Sequence, residues 1–82
     1  MTVATGELLL VTTDDCHFCA RAHEVLAALR VDAREISVDS TEAAALAARA
    51  IPLSFLPVLT DGRRVLAYGR FSEKRLRREL AA

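Results

Sequence analysis

The stretch Cys16-His17-Phe18-Cys19 decides how the chain is read. On its N-terminal side, residues 7–12 centre on Leu8-Leu9-Leu10-Val11. An apolar run of that length reads as a strand buried on both faces. Thr13-Asp14-Asp15 is a polar loop. On the C-terminal side, residues 16–29 read as a helix, because Cys19, Ala22, Val25, Leu26 and Leu29 share one stripe of a 3.6-residue period. The cysteines thus stand where a strand hands over to a helix. Three helical residues apart, two Cα atoms are ~5 Å distant. That is within disulfide range, so the pair can close and open with little backbone movement. Cys16 lies beside the free N–H groups of the helix start. Those groups and the helix dipole favour thiolate over thiol, and the thiolate is the attacking species. Cys19 lies one turn inward on the buried stripe and is expected to be the less exposed. The asymmetry makes Cys16 the attacking thiol and Cys19 the resolving one.

Two other readings of the pair stay open. Cys16, Cys19 and His23 lie near one helix face with His17 adjacent, a spacing that suits a metal or an iron–sulfur cluster. A closed zinc site takes four ligands, usually from two separated clusters. The chain has no second cysteine pair, so a metal site would have to be shared between subunits. The cysteines could also be inert core residues, and the domain a non-catalytic interaction module that keeps the fold and uses its surface. His17 either lowers the Cys16 pKa as imidazolium or is an exposed residue of the dipeptide, whereas Asp14 and Asp15 disfavour a thiolate. His23 reads as a helix-margin histidine without catalytic duty.

Further along, residues 33–38 read as a second strand with Ala33, Ile36 and Val38 buried. Asp39-Ser40-Thr41-Glu42 is a helix-start signal, with Asp39 as N-cap and Glu42 three residues on. Residues 43–50 have strong helix propensity, and Pro52 stops the helix. Residues 57–60 read as a strand that opens on Pro57. Asp61-Gly62 signals a hairpin, and residues 64–68 pair back. After Gly69, Ser72 is the N-cap of a last helix with Glu73 in its first turn and Lys74, Arg75, Arg77 and Arg78 beyond. The order is β-α-β-α-β-β-α. The first two strands are parallel through a right-handed crossover and the last two form a hairpin. The fold class is α/β, a four-stranded mixed sheet flanked by helices, with residues 1–82 as one domain.

Composition limits the functions open to such a domain. With 82 residues and 8.9 kDa there is room for one small core and no large internal cavity, so chemistry belongs at the surface. Basic and acidic residues balance at 11 each, which gives no bulk case for nucleic-acid binding. The cations of residues 70–78 have no aromatic stacking platform beside them and read as a solvated helix face. The apolar run at residues 8–11 is too short for a membrane span or a signal-peptide core. The chain is read as a soluble cytoplasmic monomer whose cysteines are no structural staple.

These motifs resemble the glutaredoxin branch of the thioredoxin fold, and most of all the small bacterial glutaredoxin-like proteins. Cys16-His17-Phe18-Cys19 matches the family's Cys-x-x-Cys at a helix start. Phe55-Leu56-Pro57-Val58-Leu59 matches its third strand, and Tyr68-Gly69-Arg70-Phe71-Ser72 stands where the family often has a Gly-Gly pair. The resemblance implies a thioredoxin fold and a thiol–disulfide oxidoreductase with no bound organic cofactor. It implies a cis Leu56–Pro57 bond facing the cysteines, with Leu56 and Pro57 as a backbone edge for substrate. His17, Phe18, Gly69 and Arg70 complete the implied substrate-binding set. The implied partners are a disulfide-containing protein, a low-molecular-weight thiol and a reductase donor. The chain departs from the pattern at His17 and Phe18 (family Pro and Tyr), at acidic Asp14 and Asp15 in place of a basic residue, at Leu56, and at Gly69 alone. The reductant is therefore open between glutathione, an equivalent thiol and a reductase.

Overall fold

The computed structural model describes residues 8–14 and 16–81. Glu7 at the expected strand start, Asp15 of the loop and the two ends of the 1–82 domain lie outside the described residues. The elements are β1 (Leu9–Thr12), α1 (Cys19–Ala28), β2 (Arg34–Ser37), α2 (Thr41–Ala48), β3 (Val58–Thr60), β4 (Val65–Tyr68) and α3 (Glu73–Ala81). The β-α-β-α-β-β-α order and the mixed sheet are as expected. Strand order is β2-β1-β3-β4, with β1 parallel to β2 and antiparallel to β3, and β3 antiparallel to β4.

Alternation along β1 and β3 divides the core into two layers. Leu10 and Leu59 face one way and pack with Ala22, Val25 and Leu26 of α1 and Leu76 of α3. Val11 and Val58 face the other way, with Ile36 of β2, Ala43 and Leu46 of α2, and Ile51. Both faces of β1 are covered, which explains its unbroken apolar run. Phe71, missing from the sequence-based core, is 2% exposed and fills the layer beneath α3.

The element ends correct four expectations. The first helix begins at Cys19, not Cys16; residues 16–18 form a turn in which the Cys19 N–H points to the Cys16 carbonyl at 3.5 Å. The N-cap of α2 is Ser40, whose Oγ accepts the Ala43 N–H at 3.1 Å, and not Asp39. Ser40 has the extended backbone a cap requires, and its Oγ also donates to the Ser37 carbonyl at 2.6 Å. The helix itself ends before Pro52. The Ala50 N–H reaches Ala47 O and the Ile51 N–H reaches Leu46 O, a Schellman closure with Ala50 at φ 67°. Arg30 closes α1 in the same way at φ 56°. Of the three β2-segment residues expected to be buried, only Ile36 is; Ala33 and Val38 are half-buried at the strand's two ends.

The hairpin loop is longer than a two-residue turn. Thr60 pairs with Val65, so residues 61–64 form the loop, and a register irregularity lies between Leu59 and Thr60. Buried Thr60 donates its hydroxyl to the Arg64 carbonyl at 2.7 Å and accepts the Gly62 N–H at 3.0 Å. The Asp61 carboxylate accepts the N–H groups of Arg63 and Arg64 at 2.8 and 3.0 Å. The Arg64 N–H, then that of Arg63, hold the Asp61 pKa below its ordinary value.

Two outcomes follow. The left-handed backbone at Ala50 costs an alanine about 1–2 kcal/mol, against about 0.5–1 kcal/mol for the extra chain entropy of glycine. Ala50→Gly should therefore raise unfolding free energy by about 0.5–1 kcal/mol in urea melts. Because the Asp61 pKa is depressed in the fold, its charge stabilises fully above its ordinary value and stops doing so as pH falls through the lower folded value. Asp61→Asn should cost about 1 kcal/mol at pH 7 and progressively less below pH ~4, read from urea melts across that range.

Candidate functional site

Strand register brings three loops to one end of the sheet. Val11 is opposite Val58, and Val58 is opposite Tyr68. The chain leaving β1 toward Cys16, the chain entering β3 through Leu56 and Pro57, and the chain leaving β4 at Gly69 thus meet at the same end of the sheet. The Gly69 N–H ties two of these loops together, donating to the Pro57 carbonyl at 2.9 Å and to the Phe55 carbonyl at 3.3 Å. Gly69 makes this contact at φ 66°. The Leu56–Pro57 bond is cis. Leu56 itself takes part in none of the loop backbone bonds among the described residues.

Cys16 and Cys19 are joined in a disulfide, S–S 2.11 Å, with Cα atoms 5.4 Å apart. Cys16 sits in the turn ahead of α1 and Cys19 is the first residue of the helix. Phe18 caps the helix without a side-chain hydrogen bond, and no acidic residue occupies its first turn. The positive end of the helix is therefore not compensated by its own side chains, a setting that favours a thiolate when the disulfide opens. The expected difference in burial is not found: Cys16 and Cys19 are both half-buried. Their asymmetry is one of position, turn against helix.

The other expected site residues divide into two groups. His17 and Phe18 form an edge-on ring pair with centroids 5.1 Å apart, and both are exposed on the turn that carries the disulfide. Leu56 is half-buried and Pro57 buried at the mouth of β3. Arg70 is exposed just past Gly69. His23 Nε2 lies 3.3 Å from Glu35 Oε1, while the buried Thr12 hydroxyl donates to Glu35 Oε2 at 2.8 Å. Glu35 thereby ties the end of β1 to α1. Among the described residues no group of three or more His, Cys, Asp or Glu side chains converges as metal ligands.

Two aromatics at this end escaped sequence reasoning as site residues. Phe55 is 69% exposed and Tyr68 58%, with ring centroids 6.2 Å apart. Each directly precedes a residue that was singled out, Leu56 and Gly69. An exposed aromatic beside a loop proline or glycine was the signal available. Gly69→Ala should cost about 1 kcal/mol in a denaturant melt. The loss would come from backbone conformation alone, since a Cβ there meets nothing within 4 Å.

The comparisons with known proteins match this geometry in one respect. The family model described as Glutaredoxin matches residues 8–65, well over half of the chain and inclusive of both cysteines and Pro57. No curated protein matches the chain.

Proposed function

The chain belongs to the glutaredoxin family, and from that premise we propose that it is a thiol–disulfide oxidoreductase that reduces protein disulfides or mixed disulfides. The observation that carries this reading is the Cys16–Cys19 disulfide at the N-terminus of α1, closed across one turn.

The exchange starts from the dithiol. The Cys16 thiolate attacks one sulfur of the substrate disulfide, forming a mixed disulfide and expelling the other sulfur as a thiolate that takes up a proton. Cys19 then loses its proton and attacks Cys16 Sγ. The Cys16–Cys19 bond forms, the mixed disulfide breaks, and the second substrate sulfur leaves as a thiol. Two electrons have passed from the dithiol to the substrate. An external dithiol reductase or two equivalents of a low-molecular-weight thiol, glutathione or another, restores the reduced pair. The turn position of Cys16 supports its role as attacking sulfur. Cys19, held by the helix with its Cα 5.4 Å from that of Cys16, suits the intramolecular step. Leu56, with its backbone outside the loop hydrogen bonds, suits pairing with an extended substrate segment. His17, Phe18 and Arg70 are exposed, which leaves them available to contact such a segment.

Cys19→Ser removes the resolving sulfur and should trap substrates. In an oxidised cell extract this variant should accumulate covalent adducts on Cys16 that dithiothreitol releases, whereas Cys16→Ser should accumulate none. Absence of adducts on Cys16 across a range of oxidants, or equal adducts on both variants, would defeat the proposal.

A further inference from the structure

β4 is a rim of the sheet. It pairs with β3 on its inner side, and among the described residues no strand pairs with its outer side. An edge strand presents a row of unpaired N–H and C=O groups, which soluble proteins ordinarily guard with charge, proline, a bulge or a very short strand. β2, the opposite rim, is guarded in this way: its Arg34 and Glu35 are exposed, and Arg34 pairs with Glu42. β4 is short and its register breaks at Leu66, but its sequence, Val65-Leu66-Ala67-Tyr68, contains neither charge nor proline, and all four side chains are at least partly exposed.

A groove lies on each side of this strand. One, of about 330 Å³, runs between β4 and α3 and is lined by Leu66, Phe71 and Leu76, with Arg70, Arg75 and Glu79 as its charged groups. The other, of about 280 Å³, is lined by Val65 and Tyr68 together with Phe55 and Pro52. Successive side chains of an added strand point alternately to the two faces of a sheet. Along β4 the register break leaves Leu66 without a ladder partner; Leu66 lines the first groove while Val65 and Tyr68 reach the second, so a segment paired to β4 would direct side chains toward both grooves.

Charge selects the occupant. Arg63 precedes β4 and Arg70 follows it; both are exposed, and with Arg75 they have no ion-pair partner among the described residues. A second copy of the chain fits poorly. Two-fold antiparallel pairing about the Leu66–Ala67 centre sets Arg63 of one copy against Arg70 of the other, and like charges directly opposite are destabilising. We propose that the outer edge of β4 docks an extended segment of a partner protein, apolar at alternate positions and acidic at its flanks. The edge ends at Tyr68, next to Gly69 and its hydrogen bond to Pro57, so a seated segment leads toward the disulfide end of the sheet. This docking does not depend on disulfide exchange.

The test uses the oxidised, ¹⁵N-labelled protein and two cysteine-free nonapeptides. Both have a Val-Thr-Val-Thr-Val centre; one carries two acidic residues at each end and the other two lysines. The acidic peptide should bind saturably, with its amide shifts concentrated on β4, and at least about tenfold more tightly than the lysine peptide. The double substitution Arg63→Glu, Arg70→Glu should abolish or invert that preference. The proposal is overturned by equal binding of the two peptides, by the lack of saturable binding at about 1 mM peptide, by shifts that map to β2 instead, or by a free protein that is already a dimer through β4.

Discussion

The antiparallel pairing of β1 with β3 is the constraint on which the site depends. Placing Val11 opposite Val58 puts the exit of one strand and the entry of the other at the same end of the sheet. The exit leads to Cys16 and the entry passes through Leu56 and Pro57, two segments some forty residues apart in the chain. Buried side chains on both faces hold this register, Leu10 and Leu59 on one and Val11 and Val58 on the other. A slip of one residue would exchange the two layers, so the packing that stabilises the fold also aligns the site. Gly69 completes the alignment by fastening the β4 exit to the Pro57 and Phe55 carbonyls.

The chemistry of the pair follows from where the helix starts. With α1 beginning at Cys19, Cys16 belongs to the turn ahead of the helix rather than to the helix itself. Position, and not burial, distinguishes the two sulfurs: one lies on the turn and the other on the helix. Glu35 lies between two elements, accepting the Thr12 hydroxyl at the end of β1 and standing 3.3 Å from His23 Nε2 on α1.

Most of the architecture was legible in the sequence because its signals were strong and local. The apolar run of β1, the helical stripe ending at Leu29, and Ser72 before an amphipathic helix each come from one short window. Ser72 does cap α3, its Oγ accepting the Arg75 N–H at 3.3 Å. The misread ends share a cause: adjacent residues offered equivalent chemistry, and geometry chose between them. Asp39 and Ser40 can both cap, but Ser40 is the one held in the extended conformation. Ala50 and Arg30 carry no left-handed signature, so two Schellman closures were invisible. The half-burial of both cysteines depends on tertiary packing, as does the exposure of Phe55 and Tyr68, which no periodicity reports.

Thiol–disulfide exchange by this pair requires Cys16 and Cys19 to be unequal in the reduced protein, and alkylation kinetics measure that inequality directly. With the dithiol form and limiting iodoacetamide, followed residue by residue by mass spectrometry over pH, Cys16 should react first. Its half-maximal rate should fall below the ordinary thiol pKa of about 8.5. Equal rates at the two sulfurs, faster reaction at Cys19, or a Cys16 profile centred at or above that value would contradict it.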